Sequence, residues 1–207
     1  MGIKAVVFDF GGVLIDWNPQ YLYRELIPND DERRWFLTHV CNMAWVIRQD
    51  GGQPIAEGTA QLIERFPDHE ALIRAFYERW HEMVAGVLED GVKTLDKLDA
   101  AGVPLFGLTN WSAETFPYAW DTFPVLHRFR DIVVSGRVQL AKPDPAIYRE
   151  MHDRIAAHFP GIRTEELVFI DDNFANADAA TALGWHGVHH TDAAQTEARL
   201  RELGLPV

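Results

Sequence analysis

The chain has 207 residues, 47% of them hydrophobic, which is enough to bury a substantial core and too apolar for a disordered polypeptide. Its formal charge of −12 comes without a basic stripe, which argues against nucleic acid and anionic membrane surfaces as partners. A single cysteine, Cys41, excludes an internal disulfide framework and fits a reducing, cytoplasmic setting, and no apolar stretch approaches membrane-spanning length.

In chain order, MGIKAVVF reads as a strand rather than a signal peptide, with residues 3–8 the β-branched run. Asp9 follows, with Gly11 and Gly12 at a tight turn. From 17 to about 88 the character changes. NPQYLYRELI, DDERRWFLTHV, PIAEGTAQLIERF and DHEALIRAFYERWHEMV carry apolar residues at helical spacing, with Asp, Asn or Pro near their starts. Alternation then resumes: helix 91–101 closed by Gly102, strand 103–108, helix 112–121, strand 131–134, helix 145–158, strand 167–170, helix 174–183 and strand 186–189. The expected fold is α/β, a Rossmann-like parallel sheet with helices on both faces and an inserted all-helical cap. Residues 1–16 and 89–207 form the expected core, and 17–88 the insertion.

Three apolar runs, VVF, PLFGL and LVFI, stop abruptly at polar residues: Asp9, the pair Thr109 and Asn110, and the pair Asp171 and Asp172. Parallel strands buried on both faces read as such runs, and an open α/β sheet places its site beyond their carboxyl ends. Three carboxylates gathered there would repel one another and call for a divalent cation, and a set of oxygen donors favours Mg²⁺ over zinc. Lys142, in AKPDPAIY, supplies a fixed opposite charge in a segment locked by the two prolines that follow it. The constellation reads as a phosphoryl-transfer site.

FDFGGVLID, GLTNWS, AKPDPAIY and VFIDDNFANADAATALG resemble, in order, the four motifs of the haloacid dehalogenase superfamily, subfamily I, with a helical cap between the first two. Within it the chain looks most similar to bacterial α-glucose-1-phosphatases and to the N-terminal phosphatase domain of soluble epoxide hydrolases. The resemblance implies that Asp9 is the nucleophile forming an aspartyl-phosphate, that Thr109 and the Asn110 backbone bind phosphoryl oxygens, and that Lys142 pairs with both nucleophile and phosphoryl group. It implies Mg²⁺ held by Asp9, the Gly11 carbonyl and Asp172, with Asp171 behind them or acting through water; Asn173 and Asn176 read equally as anchors of the loop and Lys142 or as caps of the helix that follows. The implied substrate is a small phosphorylated metabolite, and the implied assembly a monomer or homodimer.

Inside the insertion, the loop Gln49, Asp50, Gly51 and Gly52 is expected to face the core site, with Gly51 and Gly52 among the substrate-binding positions. Trp111 is the candidate substrate wall, whereas Trp17 and Trp45 read as packing residues and Cys41 as a small buried hydrophobe. The pair His189 and His190 has no zinc-like spacing and reads as structural.

One position departs from the family pattern. The residue two after the nucleophile is usually a second Asp acting as general acid and base; here it is Gly11. Its backbone carbonyl can still reach a metal, but a positioned acid contributes about 10²- to 10⁴-fold in rate. The first expectation is a phosphatase restricted to good leaving groups, such as a sugar 1-phosphate, an aryl phosphate or an acyl phosphate. A substitute donor, Asp16 or a cap residue, is another route. The alternatives are a 2-haloacid dehalogenase-type hydrolase, which also lacks the second Asp, and a weakened domain that only binds a phosphorylated ligand. Dehalogenases of the family replace the acid pair with small hydroxyl residues and carry Tyr and Thr where Gly11 and Val13 stand, so Asp171 and Asp172 favour phosphate.

Overall fold

The computed structural model describes residues 2–207. Seven strands run β1 (Ala5–Phe8), β2 (Ile15–Trp17), β3 (Val84–Val87), β4 (Leu105–Thr109), β5 (Ile132–Val134), β6 (Leu167–Asp171) and β7 (His186–His189). Five of them form a parallel sheet in the order β5-β4-β1-β6-β7, and β2 pairs antiparallel with β3. Every residue of β1, β4 and β6 is buried, which is why their sequences are almost unbroken apolar runs.

Alternation along these strands feeds two cores. Val6, Phe8, Leu105, Val168 and Ile170 face one side, where they meet Leu95 and Leu98 of helix Glu89–Ala100, Phe116 and Ala119 of Phe116–Thr122, and Leu200 of Ala193–Glu202. Ala5, Val7, Phe106, Leu108 and Phe169 face the other, against Ile147, Met151 and Ile155 of Pro145–His158 and Ala180 of Phe174–Ala182. The α/β sheet with flanking helices is thus the one expected.

Between β2 and β3 lie helices Gln20–Leu26, Asp30–His39, Met43–Asp50, Ile55–Arg65 and Glu70–Glu78. Their apolar stripes meet around Tyr23, Phe36, Trp45 and Phe76, with ring centroids 5.1 Å apart for Tyr23–Phe36 and for Trp45–Phe76. Trp45 and Cys41 are buried in this cluster, and the indole N–H of Trp45 donates to the Gly58 carbonyl at 3.0 Å.

The structure adds elements that pattern reading passed over. Helix Met43–Asp50 spans little more than two turns, too few for a periodic signal, and is started by the Asn42 side chain accepting the Trp45 N–H. The run read as helical through Val84 ends at Glu78, and a 3₁₀ turn at Trp80–Met83 leads into β3. β2 and β3 are only three and four residues long. Helix Ala193–Glu202, capped by Asp192, closes the chain on the sheet. No helix among the described residues is long and apolar enough to cross a membrane.

Candidate active site

Because β1, β4 and β6 are parallel neighbours, their carboxyl ends deliver Asp9, Thr109 and Asp171 to one edge of the sheet. Lys142 enters from the loop before helix Pro145–His158. That helix starts sharply, with Pro145 at its first turn and the Asp144 side chain accepting the Ala146 N–H, which fixes the segment carrying the lysine.

The buried Lys142 ammonium uses all three of its donors. Nζ lies 2.9 Å from Asp9 Oδ2 and 2.7 Å from Asp171 Oδ2, and donates to the Leu108 carbonyl at 3.0 Å. Burial works against the charged ammonium, but Asp9 and Asp171 outweigh it and hold its pKa above the usual lysine value. Asn110, expected to assist through its backbone, spends its side chain on this lysine. Its Nδ2 donates to the Lys142 carbonyl at 2.9 Å and its Oδ1 accepts the Lys142 N–H at 2.8 Å.

The carboxylates differ in what they are free to do. Asp171 is fully buried; it accepts from Lys142, from the Asn173 N–H at 2.8 Å, and from Asn176 Nδ2 at 3.1 Å on both oxygens. Asp9 accepts the Phe10 N–H at 2.7 Å, and burial, with Asp171 and Asp172 nearby, pushes its pKa above the carboxylate range against the pull of Lys142. Asp172 is exposed and lies over the glycine turn: a Cβ on Gly12, at φ +69°, would stand 2.2 Å from Asp172 Oδ2. Only a residue without a side chain lets the turn and the carboxylate share this space.

Asp9, Asp171 and Asp172 each offer an oxygen within 4.8 Å of the others. The donors are all oxygens, carry excess negative charge and include a carboxylate whose ionised form is disfavoured by burial, so a hard divalent cation such as Mg²⁺ fits. Asp9, Asp172 and the Gly11 carbonyl are the groups that would hold it, since the fully buried Asp171 accepts from Lys142, Asn173 and Asn176, whereas each Asp9 oxygen has a single partner. Bound there, it would neutralise charge on a phosphoryl group.

A cavity of about 360 Å³ opens above these residues. Asp9, Gly11, Thr109, Asn110 and Asp172 line its polar end, and Trp17, Val46, Ile47, Tyr77, Trp80 and Trp111 make an apolar wall. Trp111, the expected wall, packs on Trp80 at 5.5 Å, and its indole donates to Thr115 Oγ1 at 3.1 Å. Trp17, read as a packing residue, packs on Phe76 and lines the cavity as well.

Of the insertion loop, Asp50 lines the cavity, while Gly51 and Gly52 are not among its lining residues. Gly52, at φ +105°, turns the chain against the core, where a Cβ would lie 3.0 Å from Gln139 Cγ. Gln49 is buried, donating to Gln53 Oε1 at 2.7 Å. The Asp50 carbonyl accepts the Ser135 hydroxyl, whose oxygen in turn accepts the Trp111 N–H at 2.8 Å. Burial pushes the Asp50 carboxyl up to about 7, with the Ser112 backbone N–H opposing and the Asp9 charge adding to the rise. Asp16 does not line the cavity; its carboxylate accepts the Tyr21 hydroxyl at 2.8 Å.

Comparison with known proteins bears on the fold and the family. The chain is 27% identical over 209 residues to the sesquiterpene phosphatase astK of Aspergillus oryzae, with 97% of this chain and 96% of that protein covered. Its fold is similar to that of a haloacid dehalogenase family enzyme from Bacteroides thetaiotaomicron solved as a magnesium complex, at TM-score 0.66 and 19% identity over 92% of this chain and 98% of that one. It is similar also to the L-2-haloacid dehalogenase of Xanthobacter autotrophicus, at TM-score 0.63 and 17% identity over 97% and 83% of the two chains. A family model for haloacid dehalogenase-like hydrolases matches residues 3–184, from the strand before Asp9 to the turn after the Asp171–Asp172 helix. With that span and this site, the protein belongs to the haloacid dehalogenase-like hydrolases.

Proposed function

We propose that the protein is a magnesium-dependent phosphatase that passes the phosphoryl group of a small phosphorylated metabolite to Asp9 and then to water. The observation that carries the reading is Asp9 held 2.9 Å from the Lys142 ammonium within an oxygen-only cluster of three carboxylates. The Asp9 carboxylate attacks phosphorus while the bond to the organic oxygen breaks; Lys142 and the Thr109 hydroxyl hold the phosphoryl oxygens, and water then cleaves the acyl phosphate. Helices of residues 17–88 act as a cap that excludes water from this chemistry.

The organic group would lie against Trp17, Trp80 and Trp111. A sugar 1-phosphate, stacked on these rings, remains one candidate. The apolar wall equally accepts an aromatic or aliphatic group, and the similarity to an enzyme named a sesquiterpene phosphatase supports testing such esters.

The second reading, a carbon–halogen hydrolase, draws on fold likeness to dehalogenases and on the missing acid at Gly11. Parallel assays separate the two: phosphate release from aryl and sugar phosphates, and halide release from 2-haloacids, each with Mg²⁺ and with chelator. Metal-dependent phosphate release without halide release supports the phosphatase; halide release that ignores chelator overturns it.

A further inference from the structure

Gly11 lines the cavity beside Asp9, and a Cβ built on it would meet no atom within 4 Å. Space for a proton donor therefore exists at that position, and the donor is missing. The titratable groups lining the cavity among the described residues are Asp9, Asp50, Tyr77 and Asp172. Asp9 and Asp172 belong to the nucleophile and the cation. The Tyr77 hydroxyl lies 3.3 Å from Gln49 Oε1, and burial raises its pKa far beyond working pH. Asp50 has no such commitment.

Building on the phosphatase reading, we propose that Asp50, reaching the site from the inserted helices, is its general acid and base. Asp50 ends helix Met43–Asp50 and is fixed to the core by its own backbone, since its carbonyl accepts the Ser135 hydroxyl that also holds the Trp111 N–H. The Ser112 N–H faces its carboxyl, and no cation is among the groups acting on it. Around it stand the Asp9 carboxylate and the Tyr77 phenol; Glu114, which acts on Tyr77, accepts the Ile55 N–H at 2.8 Å and is not among the groups acting on Asp50. A carboxyl with a pKa near 7 can give a proton and take one back at neutral pH.

In the first step the Asp9 oxygen bonds to phosphorus, the phosphorus–oxygen bond to the organic group breaks, and its electron pair takes the Asp50 proton to give a free alcohol. In the second, water loses a proton to the Asp50 carboxylate as its oxygen bonds to phosphorus. The bond to Asp9 breaks, its electrons restore the carboxylate, and inorganic phosphate leaves with Asp50 protonated again. Leaving-group acidity then ceases to restrict the wild-type enzyme.

The test is a series of aryl and alkyl phosphates with wild type, Asp50→Asn and the double variant Gly11→Asp/Asp50→Asn. For Asp50→Asn we expect kcat/KM on alkyl esters to fall by roughly 10²- to 10⁴-fold and to change much less on acidic aryl esters, which leave unprotonated. A burst of aryl alcohol should precede the steady state, because phosphorylated Asp9 has lost the base that activates water. Retained aryl kcat/KM reports that the variant is folded. Gly11→Asp should restore alkyl turnover. Equal losses on alkyl and aryl esters, or no loss on either, would overturn the role of Asp50 and leave the phosphatase standing. A wild type that releases phosphate from no ester overturns the phosphatase reading itself.

Discussion

Asn110 holds Lys142 by both backbone polar atoms, 2.9 Å to the carbonyl and 2.8 Å from the N–H. The residue after Thr109 at the end of β4 thereby sets where Lys142 enters the site. Asn110→Ala removes both partners, at roughly 1–3 kcal/mol for each polar group left unpaired. The expected result is a lower denaturant midpoint together with a fall in kcat of tenfold or more. A variant that loses stability but keeps full kcat would show that Lys142 is positioned by its contacts with Asp9, Asp171 and Leu108 alone.

Gly12 and Asp172 make a second dependence, between the turn after β1 and the end of β6. A side chain at 12 meets a positive φ and the Asp172 carboxylate at once. Gly12→Ala should weaken Mg²⁺ by roughly 10- to 100-fold, the usual range when a ligand loses its support. The check is a magnesium titration of activity and of the melting temperature; an unchanged midpoint would remove Asp172 from the cation's ligands.

Asp9 links the site to stability. Its folded-state pKa is raised from the ordinary 3.8 by burial and by Asp171 and Asp172, so the folded protein binds a proton more readily than the unfolded chain. The contribution is fully present below about pH 4 and is lost as pH rises toward the folded value. Metal-free wild type should therefore lose melting temperature between acid and neutral pH more steeply than Asp9→Asn, and Mg²⁺ should restore it at neutral pH. Matching pH slopes for the two metal-free proteins would contradict this.

Much of the site was legible because strand ends are. VVF, PLFGL and LVFI are apolar because both faces of the sheet are covered, and the residue at which each run stops is where the parallel strands open. Lys142 was legible from the two prolines that follow it, the second of which starts helix Pro145–His158. What could not be read depends on contacts distant in sequence. Nothing around Gln49–Gly52 distinguishes the cavity-facing Asp50 from the core-facing Gly52; Ser135 and Gln139, eighty and more positions away, make that difference. The use of the Asn110 side chain likewise depends on a loop 32 residues on. β2 and β3 escaped notice because strands this short carry no alternation.

The most direct measurement is phosphate release from an aryl phosphate by wild type with Mg²⁺ and with excess chelator, beside Asp9→Asn. An aryl oxygen leaves without help from any acid, so the glycine at position 11 does not mask transfer of the phosphoryl group to Asp9. The account predicts release that requires the metal and is abolished in Asp9→Asn; release that survives chelation or the loss of the Asp9 carboxylate would contradict it.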